Sequence, residues 1–355
     1  MGKTKIEWAT DTWNPVTGCS KVSPGCTSCY AETMSHRLSN NPKYALATKA
    51  DGTWSGVVSC HPEALDQPVQ WKKPRRIFVC SMSDLFHSQV PWDFIVEVFN
   101  TMAATYWHTY QVLTKRPGRM AHFAEHIWPK QANQAHRTTR PLAWGGTWEA
   151  TWPSNVWAVT AVESQKYAPR LDCLLRVPAK VRFISAEPLL GPLDLRRWLN
   201  CRFDHCNEEI YDCTGCDGLG PRPHGECGAV VTPPVLSWVI VGGESGHGAR
   251  PMDLAWARGL VGQCQAAGVA CFVKQLGSEP MSGLGDQDLY EELIELAQTP
   301  GGVRLSDQHG STFRRDTDGR RLGHYLKFHD PKGGNPSEWP NKLRVREMPQ
   351  AAGGS

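Results

Sequence analysis

The stretch Arg76–His87, RIFVCSMSDLFH, carries the argument for the fold. Ile77, Phe78, Val79 and Cys80 form an unbroken apolar run that passes without a turn residue into Ser81, Ser83 and Asp84. A strand covered on both faces needs such a continuous run, because neither face meets water. The hydroxyls and carboxylate that follow fall where parallel barrels place their reacting groups, just past the strand's C-terminal end. Five further runs repeat the pattern: Tyr110–Thr114, Val156–Val162, Val181–Ala186, Ser237–Val241 and Ala270–Val273. A seventh is expected before Cys19 or near Val57–Cys60. Helix-length segments at 91–106, 117–126, 165–175 and 254–267 separate the runs, two of them opened by a proline suited to a first helical turn, and 288–297 reads as another. The expected class is α/β, a partial or near-complete parallel (β/α) barrel of six to seven strands.

The 355 residues exceed the ~250 of a plain barrel, so additions are expected. The alternation breaks at 200–234, where Cys, Gly, Pro, Asp and His replace the apolar pattern, marking an inserted Cys-rich lobe. The expected division is 1–199 for the first part of the barrel, 200–234 for the lobe, 235–299 for the rest of the barrel, and 300–355 for an Arg/Gly/Pro-rich tail. With 38 basic against 35 acidic residues, the net charge of +3 is too small for tight non-specific binding to a phosphate backbone, so nucleic-acid contact would have to be local. No apolar run reaches the ~18 residues of a membrane span and the first residues lack a signal-like apolar core, so a soluble cytoplasmic protein is expected.

Six strand ends carry charged or hydroxyl residues: Ser83 and Asp84, Lys115 and Arg116, Glu163, Glu187, then Gly242-Gly243-Glu244, then Lys274. Converging on one mouth, they suit a ligand bearing both signs of charge, such as an amino-acid moiety. Gly242 and Gly243 permit close backbone approach, though their spacing matches neither phosphate-binding fingerprint.

The thirteen cysteines cluster in two places, and in a long chain without a secretion signal metal binding outweighs disulfides. Cys19, Cys26 and Cys29 share one eleven-residue loop. Three thiolates suit an iron–sulfur cluster with one iron left open, whereas structural zinc would need a fourth ligand such as His36 or His61. Cys206, Cys213, Cys216 and Cys227, around a C-x2-C knuckle, suit tetrahedral zinc, with an auxiliary iron–sulfur cluster as the alternative.

The three-cysteine loop ahead of a parallel barrel resembles the radical S-adenosylmethionine superfamily, with C-x6-C-x2-C in place of the usual C-x3-C-x2-C and Tyr30 after, rather than before, the third cysteine. More closely, Thr4–Trp8, Trp13–Cys19, Cys26–Glu32, Ser81–His87, Leu113–Pro117, Glu187–Leu190, Val241–Pro251, Val273–Gly277 and Gly333–Pro340 resemble a phage-encoded, three-cysteine-motif branch associated with thymidine hypermodification. The resemblance implies a [4Fe-4S] cluster on Cys19, Cys26 and Cys29, and S-adenosylmethionine on its open iron. It further points to Ser83 and Asp84, at the second strand's end, near the methionyl amine, while Lys115, Arg116, Gly242 and Gly243 are candidate cofactor contacts on the charge and the close backbone approach they offer at the mouth.

The expected function is radical modification or isomerisation of an amino-acid-substituted thymine in phage DNA, with Glu163, Glu187, Glu244 and Lys274 serving the substrate. The glycyl-thymidine isomerase is the particular activity this suggests, and flavodoxin or ferredoxin the kind of electron donor. Lys72–Arg76, Arg314–Arg321 and Lys342–Arg346 are candidate backbone contacts, and Trp13, Trp54 and Trp339 candidate stacking residues. The competing readings are a non-catalytic zinc-containing nucleic-acid-binding protein and a metal-dependent barrel hydrolase. The second is disfavoured because the strand ends lack histidines.

Overall fold

A computed structural model describes residues 4, 6–130, 152–199, 236–282, 287–298, 304–305, 314–315 and 321–349. Seven strands, Asp11–Trp13, Arg76–Val79, Thr109–Thr114, Val156–Ala161, Arg182–Ala186, Trp238–Gly242 and Ala270–Gln275, form one sheet in chain order. Every neighbouring pair is parallel. Among the described residues the first and seventh strands do not pair, so the curled sheet is an open half-barrel. The seventh expected strand is thus the one ahead of Cys19. Ser59–Cys60 instead pairs antiparallel with Val16–Thr17, closing the excursion that carries the three cysteines.

Side-chain alternation sorts the strands' apolar residues into two cores. Val156, Ala158, Ile184, Val239, Val241, Cys271 and Val273 pack in one cluster with helix residues such as Phe99 of Trp92–Ala104, Leu171 of Arg170–Leu175 and Leu260 of Leu254–Ala267. Val159, Phe183, Trp238, Ile240 and Phe272 project to the other face with Trp8, and Leu113 and Trp157 pack against them. Trp8 meets Trp238 and Phe272 edge-on at 6.3 and 5.8 Å, and Phe183 meets Trp238 at 4.9 Å. Such pairs contribute about 0.5–1.5 kcal/mol each beyond burial. This aromatic floor fills the inner face that the helices leave uncovered.

The alternation places the chemistry. Continuing it, Leu113 is followed inward by Lys115, Val159 by Ala161 and Glu163, Phe183 by Ser185 and Glu187, Ile240 by Gly242 and Glu244, and Phe272 by Lys274. Each of these five strands therefore runs from an apolar floor to a charged rim.

Several elements end differently from the sequence reading, for identifiable reasons. The second strand stops at Val79 because Cys80 turns to φ +60°, a left-handed conformation no strand accommodates. The expected 165–175 helix is a 3-10 turn, Gln165–Tyr167, then a helix from Arg170, because Pro169 at its N-cap removes a donor. Helix Pro117–His122 widens into a π turn over Phe123–Ile127. Within the tail, Val345 accepts from Val273 N (2.8 Å) and Glu347 N donates to Cys271 O (2.8 Å), which covers the exposed edge of the seventh strand. No helix among the described residues is long and apolar enough to cross a membrane.

Candidate active site

The cysteine loop is stitched to the sheet at its start. Gly18 bridges Ser83 in parallel, and the Ser83 hydroxyl donates to Val16 O at 2.8 Å. Gly18 has φ +84°, and a side chain there would collide with Val57 O, so only glycine fits. Arg116, past the third strand, reaches Cys19 Sγ at 3.9 Å through Nη1 and Ser20 O and Oγ at 3.1 and 3.0 Å through Nη2. Asp84 holds Arg116 in place, accepting from its Nη1 at 2.8 Å. The other contacts of Asp84 are Thr114 Oγ1 (2.7 Å), Phe86 N (2.9 Å) and Lys115 N (3.1 Å). Buried, with both oxygens engaged, Asp84 joins the ends of two strands to the first cysteine. Burial, reinforced by the Asp84 charge, pushes the Cys19 thiol up to about 11, and Arg116 works against that shift.

The middle of the loop is clasped from the far side of the rim. Fully buried Glu163 accepts from the Ser23 hydroxyl and, at 2.8 Å, from Arg170 Nη1, with Lys115 Nζ 4.0 Å away. Gly25 lies so close to Glu163 that a Cβ would strike the carboxylate. Glu244 takes Arg250 in a two-point grip, Nε to Oε2 at 2.9 Å and Nη2 to Oε1 at 2.7 Å, and Arg250 Nη1 donates to Pro24 O at 2.9 Å. Burial of Glu244 opposes its ionisation, but the side-chain and backbone hydrogen bonds of Arg250 win and hold its carboxyl below the ordinary value. Cys29 stands at the N-cap position of helix Tyr30–Arg37 without a side-chain cap bond, and the nearby backbone N–H groups of Glu32 and Ala31 favour its thiolate. Burial still raises that thiol.

The remaining rim residues form a separate group. Lys274 Nζ lies 2.5 Å from Glu187 Oε1 and 5.3 Å from the Trp8 ring centre, so the pair stands above the aromatic floor and makes no described ion pair with the loop. Gly242 passes Glu187, and a Cβ on Gly243 would stand 2.5 Å from Leu276 O. Gly243 N donates to Gln275 O at 3.0 Å, so this glycine serves the crossing of two chain segments.

The donor set fits an iron–sulfur cluster. Cys19, Cys26 and Cys29 are free thiols on one loop, with Arg116 and Lys115 beside them to offset negative charge. Thiols raised by burial need a cationic partner to ionise, which a metal cluster supplies as it displaces their protons. Among the described residues no three His, Cys, Asp or Glu side chains gather tightly enough to hold a single ion. His61 is engaged by Thr17 (2.8 Å) and Glu63 (3.3 Å), and His36 lies against Gly52. Cys206, Cys213, Cys216 and Cys227 lie outside the described residues.

One expectation is corrected. Trp13 and Trp339 are fully buried and Trp54 nearly so, which leaves no ring face for a base. Of the basic segments, Arg75 pairs with Asp11 at 2.5 Å and Arg346 with Glu7, so both are partly spent on structure. Sequence reading gave no role to Ser20, Ser23, Arg170 or Arg250. Only Arg250, inside the motif Val241–Pro251, carried any signal.

The fold and loop define an α/β half-barrel protein with three free thiols over the C-terminal ends of its strands. Within that class, the chain belongs to the DUF5131 family, described as a protein of unknown function, whose model matches residues 3–325. No curated protein matches it. Among solved structures it is similar to a double mutant of spore photoproduct lyase with bound AdoMet and dinucleoside spore photoproduct, at TM-score 0.34 and 13% identity over 55% of this chain and 50% of that one. Two single mutants of the same lyase give TM-score 0.38 and 11% identity over 97% of this chain and 74% of theirs. The chain thus spans half the length of the first of these structures. At such scores the likeness transfers no residue and no activity.

Proposed function

We propose that the chain is a radical S-adenosylmethionine enzyme acting on a nucleobase of DNA, with an amino-acid-substituted thymine, such as a glycyl-thymidine to be isomerised, as its substrate. One observation carries the reading: three free thiols on one loop are clasped over the strand ends of a parallel half-barrel by Arg116, Glu163 and Arg250. Cys19, Cys26 and Cys29 would hold a [4Fe-4S] cluster. When bound and reduced, that cluster supplies the electron that cleaves S-adenosylmethionine to a 5′-deoxyadenosyl radical.

The chain's own residues hold the loop, exclude water and offer charge. Asp84 acts through Arg116, so its part in cofactor binding is to fix the guanidinium beside Cys19. Lys115, part-exposed between Glu163 and Cys29, supplies a cation for a carboxylate of the cofactor, with Ser83, Gly242 and Gly243 shaping the wall around it. Glu187 and Lys274, paired above the aromatic floor, offer both charges that an amino-acid substituent needs. Glu163 and Glu244 act on the substrate side of the loop they clasp. A flavodoxin- or ferredoxin-type donor would supply the electron, and we extend the proposal to a zinc site on Cys206, Cys213, Cys216 and Cys227.

Anaerobic reconstitution tests the reading. The protein should turn brown, bind iron and sulfide, and release 5′-deoxyadenosine from S-adenosylmethionine with a strong reductant. Single Ala variants of Cys19, Cys26 and Cys29 should lose the iron. A colourless protein that never cleaves the cofactor overturns the enzymatic reading and leaves a nucleic-acid-binding protein.

A further inference from the structure

A cavity of about 450 Å³ opens beside the cysteine loop. Its wall runs from Pro24 in the loop, through Glu163 and Tyr167 after the fourth strand, to Arg250 and Trp256 after the sixth, with Met281 among its apolar contacts. The volume falls in the range of small-ligand sites, and the make-up is the usual one of apolar and aromatic walls with few polar groups. Tyr167 and Trp256 are half-buried and come from different elements, a 3-10 turn and the helix Leu254–Ala267. Arg170 stands 4.5 Å over the Tyr167 ring and is itself tied to Glu163 and Ala161 O, so Tyr167 is braced from the sheet.

Among the described residues, Arg250 is the cation on this wall with donors to spare. A guanidinium has five N–H donors. Glu244 takes two from the side chain and Pro24 O takes a third, which leaves two on a side chain about one-third exposed at the cavity wall. A fixed cation with two unspent donors beside two aromatic rings suits a planar aromatic ring carrying carbonyl or carboxylate acceptors.

We infer that this cavity receives the substrate's nucleobase, swung out of its strand, with Tyr167 and Trp256 contacting its ring and Arg250 donating to its acceptors. The inference rests on the reading above that the substrate is a base in DNA. Stacking alone makes the site tolerant of any base, whereas Arg250 favours rings with exocyclic acceptors such as thymine. The adenine of S-adenosylmethionine is the competing source of the same chemistry.

The test uses the reconstituted protein and two fluorescein-labelled duplexes, one fully paired and one with a single unpaired thymine, which removes most of the cost of extrusion. Anisotropy should show about tenfold tighter binding to the unpaired-thymine duplex, and Tyr167→Leu and Trp256→Leu should each erase most of that preference. Trp256→Phe should retain it, and iron content and S-adenosylmethionine affinity should be unchanged in all three. Equal binding of both duplexes by the wild type overturns the inference, as does a loss of S-adenosylmethionine affinity in Tyr167→Leu with duplex binding intact. Because 5′-deoxyadenosine release is measured separately, the two readings fail separately. Cofactor cleavage without duplex preference removes the cavity alone, and duplex preference without cleavage removes the enzyme alone.

Discussion

Arg250 Nη1 donates to the carbonyl of Pro24 at 2.9 Å, joining residues 226 positions apart. Glu244, which grips the same guanidinium, thereby positions a cysteine loop it does not adjoin in sequence. The loop is held as a part of the half-barrel's rim, and its fit is set by carboxylates at the strand ends.

Glu244→Gln should therefore weaken the protein in a pH-dependent way. The folded-state carboxyl titrates below its ordinary value, so its stabilisation is present above the unfolded value of about 4.3 and is lost as pH falls through the lower folded value. At pH 7 the variant should be less stable by roughly 1–3 kcal/mol, the cost of disturbing a buried hydrogen-bonded charge. Urea midpoints from pH 7 to pH 3 should show the gap to wild type closing below about pH 4.3. A gap that stays constant would mean that the Arg250 grip does not carry it.

The metal-free loop should be slow to alkylate. With the Cys19 thiol near 11, its thiolate fraction at pH 8.5 is on the order of a hundredfold below that of a free cysteine of pKa about 8.5. The rate of iodoacetamide labelling at Cys19, followed by peptide mass spectrometry, should keep climbing to about pH 11 in the folded protein and level off well below that after unfolding. Matching pH profiles would contradict the buried setting described for this thiol.

Gly243→Ala should be costly although alanine is small. Its methyl group would meet Leu276 O at 2.5 Å, and the backbone of Leu276 and Gly277 there resists displacement. Overpacking of this kind costs about 1–3 kcal/mol, to be read as a lowered thermal midpoint. Gly246→Ala is the contrast. Nothing stands within 4 Å of its added carbon, so any loss there reflects its φ of +106° alone.

Trp8→Ala should be among the most damaging changes outside the loop. It removes the ring that packs on Trp238 and Phe272 and lies beneath Lys274. Truncating a buried aromatic costs about 3–5 kcal/mol, and the added loss of the Lys274 contact should loosen the Glu187 pair as well. Denaturant midpoints measure the first effect. Restoration of most of the stability by Trp8→Phe would assign it to packing.

The strands were legible because a strand covered on both faces reads as a continuous apolar run, as Ile77–Val79, Val156–Val159 and Trp238–Val241 do. Their charged ends were legible for the converse reason. Glu163, Glu187 and Lys274 break off their apolar runs abruptly, which marks the strand ends. The short Asp11–Trp13 strand was ambiguous because three residues carry too little periodicity to separate a strand from a loop.

What the sequence determined by itself was thus local and periodic: which segments are strands, which residues stand at their ends, and that three thiols share a loop. Tertiary structure alone decided which of those ends touch that loop. Asp84 became the holder of Arg116, Glu163 the partner of Ser23, and Glu244 the grip on Arg250, while Glu187 turned to Lys274. The physical reason is that an ion pair depends on separation in space, and separation is set by the sheet's curl and by side-chain alternation. Glu163 and Ser23 are 140 residues apart in the chain and in hydrogen-bond contact in the fold, and nothing in either residue's neighbours encodes that meeting.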